Sequence, residues 1–116
     1  MKQFNRALAD YDRALALDPN LADAYNNRGI LHLARGDVEA AQADFSAAIA
    51  INPAHALAYY NRGIALRLHG DLEDSKKDLE QAATLTPRLR DSVRMLVSRT
   101  LMNEKQALES PSGNPP

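Results

Sequence analysis

Residues 22–53, ADAYNNRGILHLARGDVEAAQADFSAAIAINP, align without a gap on residues 56–87, ALAYYNRGIALRLHGDLEDSKKDLEQAATLTP, with 13 identities in 32 positions. The longest shared run is Asn27-Arg28-Gly29-Ile30 against Asn61-Arg62-Gly63-Ile64. Pro19, Pro53 and Pro87 mark the same 34-residue step, as do Gly29 with Gly63 and Gly36 with Gly70. A fixed period of this length marks a stacked array of helix–turn–helix units.

Each period divides in two. In the first, apolar and small residues recur at three- and four-residue intervals from about Leu21 to Arg35, which predicts a helix. Gly36-Asp37 breaks it: glycine takes the left-handed conformation that closes a helix, and aspartate is a good cap for the next one. Val38, Ala41, Phe45, Ala48 and Ile49 then form one stripe of a second helix, Val38–Ile51, ended by Asn52-Pro53 because the residue before a proline avoids the helical region. The same reading gives helices over Ala56–His69 and Leu72–Leu85 around Gly70-Asp71. Gly29 and Gly63 sit inside helices, where each costs about 1 kcal/mol relative to alanine. Close approach of the paired helix, with Ala41 and Ala48 facing the glycine, is the expected compensation.

Outside the two full units the pattern changes. Residues 1–19 supply only a second helix, roughly Gln3–Leu17, with Phe4, Ala7, Leu8, Tyr11, Ala14 and Leu15 on its apolar side. A terminal unit normally presents a polar outer face. The stripe is therefore read as the mark of a fragment of a longer array, as a surface covered by a dimer partner, or as one simply tolerated. Its self-association residues would be Phe4, Leu8, Tyr11 and Leu15. After Pro87, Leu89, Val93, Leu96, Val97, Thr100 and Leu101 predict one more amphipathic helix to about Leu108. Residues 110–116, SPSGNPP, are expected to be a disordered tail.

Composition agrees with helices and narrows the chemistry. The 116 residues allow one domain or one short array, and a 45% hydrophobic content provides a core. Aromatic residues make up only 5% of the chain while alanine and leucine abound, which favours helix over sheet. The absence of cysteine removes disulfides, thiol catalysis and thiolate zinc sites. A net charge of -1 gives no global field for nucleic acid. No apolar run approaches the length of a membrane span and no leader follows Met1, so neither membrane insertion nor secretion is expected, and the cytoplasm is the expected compartment.

The ordered set of marker residues resembles the tetratricopeptide repeat family. That family shows an aromatic in the first helix, a glycine four residues later, then an alanine, an aromatic, an alanine and a closing proline. Tyr25, Gly29, Ala41, Phe45, Ala48 and Pro53 supply this order in one unit. Tyr59, Gly63, Ala82 and Pro87 supply it in the next, with Ser75 and Leu79 as departures, and Ala7, Tyr11, Ala14 and Pro19 match the second half of a unit. The resemblance covers residues 2–87. It implies an all-α, right-handed α-α superhelix of antiparallel helix pairs: a half repeat over 1–19, repeats over 20–53 and 54–87, and a capping helix over 88–109.

It also implies a function: a non-catalytic scaffold or adaptor whose concave groove, lined by the first helices, holds a peptide or helix from a partner protein. Matched one by one, the groove positions are Asp23, Asn26, Asn27, Ile30 and Leu33, then Leu57, Tyr60, Asn61, Ile64 and Arg67. The cap adds Arg94, Met95, Ser98 and Met102. Asn27 and Asn61 are able to pin a peptide backbone amide, or else only tie helices together. Ile30, Leu57, Tyr60 and Ile64 would form an apolar floor, with the two methionines as an adaptable wall. One subfamily clamps a C-terminal carboxylate with basic residues and asparagines. Asp23, Asn26, Leu57, Tyr60 and Asp91 stand where its basic groups recur, so that mode is not expected. The alternative function is a structural module that self-associates, as a homodimer, through the half repeat.

Nothing else in the chain argues for chemistry. His32, His55 and His69 lack a repeated metal-ligand spacing. Asp71, Glu73, Asp74 and Asp78 gather near a helix start, where carboxylates complement the dipole. Neither a serine elbow nor a phosphate-binding glycine loop is present. No catalytic residue, cofactor or metal is expected. Residues 1–87 hold 9 basic and 12 acidic groups and residues 88–116 hold 5 and 3. Arg88, Arg90, Arg94 and Arg99 thus make a basic end, read as a solvated face complementing the Asp71–Glu80 stretch or as a contact for an acidic partner.

Overall fold

The computed structural model describes residues 2–109. Its helices are α1 (Lys2–Leu17), α2 (Ala22–Ala34), α3 (Val38–Ile51), α4 (Ala56–His69), α5 (Leu72–Leu85) and α6 (Arg90–Glu109), with a 3-10 turn at Pro87–Leu89 before the last. No strand occurs among the described residues. The expected tail, 110–116, lies outside them.

α2 pairs with α3 across a three-residue turn and α4 with α5 across a two-residue one, and α1 and α6 pack on the ends of this stack. The result measures 53 × 33 × 19 Å, and its short dimension is that of two helix layers. α2, α4 and α6 form one layer and α1, α3 and α5 the other.

The turns follow from glycine. Gly36 has φ +85° and Gly70 φ +96°. In both turns the glycine N–H and the next N–H reach back into the helix: Gly36 to Leu33 O at 3.0 Å and Asp37 to His32 O at 2.8 Å, Gly70 to Arg67 O at 3.1 Å and Asp71 to Leu66 O at 2.9 Å. This is the Schellman closure, which gives two of the last carbonyls of each helix a backbone donor. The expected aspartate caps do not form: neither the Asp37 nor the Asp71 side chain accepts a backbone N–H. Asp71 instead meets His69 Nδ1 at 3.0 Å, a partner that the tight turn brings within reach.

Between units a different device operates. Asp18 accepts from the Asn20 N–H at 3.0 Å, and Asn52 from the Ala54 N–H at 3.1 Å. These side chains, 34 residues apart, start the turn that the following proline stiffens. Thr86, at the third such place, lacks this bond, and the chain enters α6 through the 3-10 turn.

Gly29 and Gly63 admit a close approach, though not by the alanines expected. A Cβ on Gly29 would lie 2.6 Å from the Phe45 ring, and one on Gly63 2.8 Å from Leu79. Glycine therefore makes room for the largest side chains of the partner helix. Phe45, Leu79, Ala41, Ala48 and Ala82 are fully buried, and Phe45 packs with Ala41 of its own helix and Ala65 of α4, flanked by Leu33 and Val38. Burying such a ring contributes roughly 1.5–3 kcal/mol.

α1 is less uncovered than its stripe implied. Leu15 is buried, and Phe4, Leu8 and Tyr11 are half-buried, because α1 lies against α2 in the way that α3 lies against α4.

Candidate functional site

Three sets of residues recur along α2, α4 and α6 at the 34-residue step: Asp23, Asn27, Ile30 and Ala34; Leu57, Asn61, Ile64 and Leu68; Asp91, Met95, Ser98 and Met102. Steps of four, three and four residues put each set on one helix face. Ile30, Leu57, Leu68, Met95 and Met102 are between 43% and 63% exposed. These five large apolar side chains are left open on one layer. Leu68 was missed in the sequence, although it stands 34 residues before Met102. Along α6, Asp91, Arg94, Met95, Ser98, Arg99 and Met102 line a shallow hollow of about 420 Å³.

The polar candidates separate into two kinds. Asn61 Nδ2 donates to Asn26 Oδ1 at 3.1 Å, and Asn26 is buried; this pair ties α2 to α4. Asn27 is exposed and has no hydrogen-bond partner among the described residues. Tyr60 and Ile64 are half-buried on α4, as is Arg67, while Arg94 is exposed. Leu33 packs against the Phe45 cluster inside the stack.

Asp23 also joins units. His55 caps α4, its Nδ1 accepting from the Ala58 N–H at 3.1 Å. That leaves the other ring nitrogen as the donor, and Nε2 lies 2.7 Å from Asp23 Oδ1. The pair borders a second hollow, about 300 Å³, with Leu57, Arg88 and Leu89 also in its wall.

The remaining charged side chains build the scaffold. Arg28 sends Nε and Nη2 to the two carboxylate oxygens of Asp44, both at 2.8 Å, and Nη1 to Asp12 on α1 at 2.8 Å. Arg62 does the same to Asp78 at 2.6 and 2.9 Å, and its Nη1 reaches Ser46 at 3.2 Å. Each guanidinium also lies over a tyrosine of its own helix, Tyr25 at 5.5 Å and Tyr59 at 5.6 Å. The hydrogen bonds to Asp44 above all hold the Arg28 charge more firmly than water does, with partial burial opposing and Asp12 adding. Arg62 is raised in the same way, chiefly by Asp78. Sequence reading passed over these pairs, although Arg28 and Arg62, and Asp44 and Asp78, each recur after 34 residues. None of Arg88, Arg90, Arg94 and Arg99 makes an ion pair among the described residues, although Glu80 of the acidic stretch lines one hollow together with Arg90 and Arg94.

Among the described residues no three His, Asp or Glu side chains gather to hold a metal, and no helix is long and apolar enough to cross a membrane.

Comparison with known proteins adds to this geometry. Tetratricopeptide repeat models match residues 1–56 and residues 56–89. No curated protein sequence gives a significant match. Among solved structures, the first tetratricopeptide repeat domain of Spaghetti (RPAP3) bound to the HSP90 peptide SRMEEVD is similar with a TM-score of 0.82 and 26% identity, over 94% of this chain and 82% of that one. The second such domain of the same protein, bound to the same peptide, reaches 30% identity with a TM-score of 0.69, over 71% of this chain and 76% of that one. The Arabidopsis OM64 tetratricopeptide repeat domain matches with a TM-score of 0.82 and 25% identity, over 88% and 84%.

Proposed function

We propose, because this chain belongs to the tetratricopeptide repeat family, that it is a non-catalytic adaptor holding a segment of a partner protein against the layer of α2, α4 and α6. The observation that carries this reading is the row of exposed apolar side chains, Ile30, Leu57, Leu68, Met95 and Met102, on the helices that face one way. The two Spaghetti domains hold a peptide, which supports a peptide-binding role for a similar stack. Asn27, with no partner of its own, supplies a donor and an acceptor for a bound backbone. Ile64 and Tyr60 fill the floor between the exposed residues, and Arg94 and Arg99 border the methionine hollow.

The class of segment follows from what the face lacks. α2 and α4 carry no lysine, and their Arg28 and Arg62 are already engaged by Asp44 and Asp78, whereas the acid-rich peptide SRMEEVD needs cations opposite its carboxylates. An apolar or amphipathic segment fits this face better, with methionines adapting to its shape. Peptides selected on the immobilised chain from a random display library test this. The selected peptides should be rich in large apolar residues, and Leu57→Glu and Met95→Glu should each weaken them tenfold or more while the melting temperature stays within a few degrees. Tight binding of SRMEEVD, or selected peptides indifferent to both substitutions, would sink the reading.

A further inference from the structure

The two complete hairpins share one docking rule. In α2 and α4 the arginine stands immediately before the glycine: Arg28-Gly29 and Arg62-Gly63. The arginine reaches an aspartate 16 residues on, and the glycine receives the residue that follows this aspartate, Phe45 or Leu79. The accepting helix therefore reads Asp44-Phe45 or Asp78-Leu79, flanked by small residues: Ala41 and Ala48 in α3, Ser75 and Ala82 in α5.

α1 carries the same set one period earlier: Asp10-Tyr11, flanked by Ala7 and Ala14. One side of α1 is engaged in the stack, through Leu15 and through Asp12 on Arg28. The docking set is not. Ala7, Tyr11 and Ala14 are half-buried where their counterparts are fully buried, and Asp10 is exposed with no ion pair or hydrogen bond among the described residues.

We propose that α1 accepts one further helix, none of α1–α6, that carries an aromatic residue, two variable positions and then an Arg-Gly step. Charge complementarity selects the arginine, since Asp44 and Asp78 each take a bidentate guanidinium and Asp10 presents the same carboxylate at the same register. The space above Tyr11 selects the glycine, because a Cβ at the equivalent places lies within 2.8 Å of Phe45 or Leu79. A folded second copy of this chain does not meet both conditions. Its α2 and α4 already place their Arg-Gly steps on Asp44 and Asp78, and its α6 has Leu96 and Val97 at those two positions. This surface lies on the other helix layer from the proposed groove.

The test uses the full chain and, as probe, a fluorescein-labelled peptide of its own residues 20–37, NLADAYNNRGILHLARGD, which carries the step. Saturable binding measured by anisotropy is expected. Asp10→Ala should weaken it about tenfold or more, and Arg28→Ala in the peptide should do the same without adding to the loss on the Asp10→Ala chain. Asp10→Arg with Arg28→Asp in the peptide should recover binding, and Gly29→Val in the peptide should remove it. Leu57→Glu on the chain should leave it unchanged. Because Asp10 is exposed, melting curves should be the same with and without the substitution. Absence of saturable binding, affinity indifferent to Asp10 and Arg28, or loss through Leu57→Glu instead would each overturn the proposal. So would sedimentation showing a dimer that Tyr11→Glu dissolves, since a second copy would then be the occupant.

Discussion

The repeats 20–53 and 54–87 solve one packing problem with different residues. In the first, the aromatic ring of Phe45 lies over Gly29 and a plain alanine, Ala41, sits beside it. In the second, Leu79 lies over Gly63, and Ser75 takes the alanine's place, its hydroxyl donating to Gly63 O at 2.7 Å. The arginines differ as well: Arg28 links two carboxylates, one on α1 and one on α3, whereas Arg62 links one carboxylate and the hydroxyl of Ser46. What the architecture requires is filled volume over a glycine and an acceptor pair beneath an arginine. Side-chain identity is free within those limits.

The largest way to break this equivalence is to empty the volume. Phe45→Ala should cost about 4 kcal/mol and Leu79→Ala about 3 kcal/mol, since the ring leaves the larger cavity. Urea denaturation of the two variants checks the order. Equal losses would mean that the stack closes over the missing ring, and that volume is not what the glycine serves.

A smaller effect should come from the arginines. Arg28→Ala leaves Asp44, 7% exposed, without its cation, and Arg62→Ala does the same to Asp78 at 11%. Removing one partner of a largely buried pair is costly because the remaining charge stays in poor solvent. About 2–3 kcal/mol is expected at each site, after allowing for partial exposure of the guanidinium. Arg28→Ala should be the worse of the two, because it also unties α1 from α2. Proteolysis under native conditions would show this directly, with α1 cleaved faster in Arg28→Ala than in Arg62→Ala. Equal cleavage would mean that apolar contacts alone hold α1.

Much of this was legible in the sequence, because repetition exposes whatever both units need. The 34-residue step located every helix from α2 to α5 to within a residue, and the turn glycines as well. Where a feature is not shared, periodicity misleads. It grouped Asn27 with Asn61, yet Asn61 bonds Asn26, a pair 35 residues apart that binds neighbouring units to each other. His55 is a second case: leucines hold its place in the adjoining units, at Leu21 and Leu89, so its cap and its bond to Asp23 belong to one junction only. The glycines were rightly read as sites of close approach, but a sequence does not show that a side chain as large as Phe45, and not a small one, points at them. Asp37 and Asp71 failed as caps because the Schellman closure shapes the turn through the backbone alone.

The finest test of the comparison is the exchange of Ser75 and Ala41. Ser75→Ala removes a buried donor together with its bond, and Gly63 O remains in the helical ladder, so no unsatisfied group is left behind. The change should cost no more than about 1 kcal/mol. Ala41→Ser is not its mirror image. The added hydroxyl would have the Gly29 carbonyl as its counterpart acceptor, but the Phe45 ring presses on Gly29 more closely than Leu79 presses on Gly63. Denied that bond, a buried hydroxyl costs about 1–3 kcal/mol. Ala41→Ser should therefore lower the melting temperature more than Ser75→Ala does. If both are neutral, the two repeats are interchangeable at this position, and the serine is an accident of an alanine site. If Ala41→Ser alone is costly, the hydroxyl in the second repeat depends on the smaller Leu79, and the two departures from the first repeat are a single coupled change.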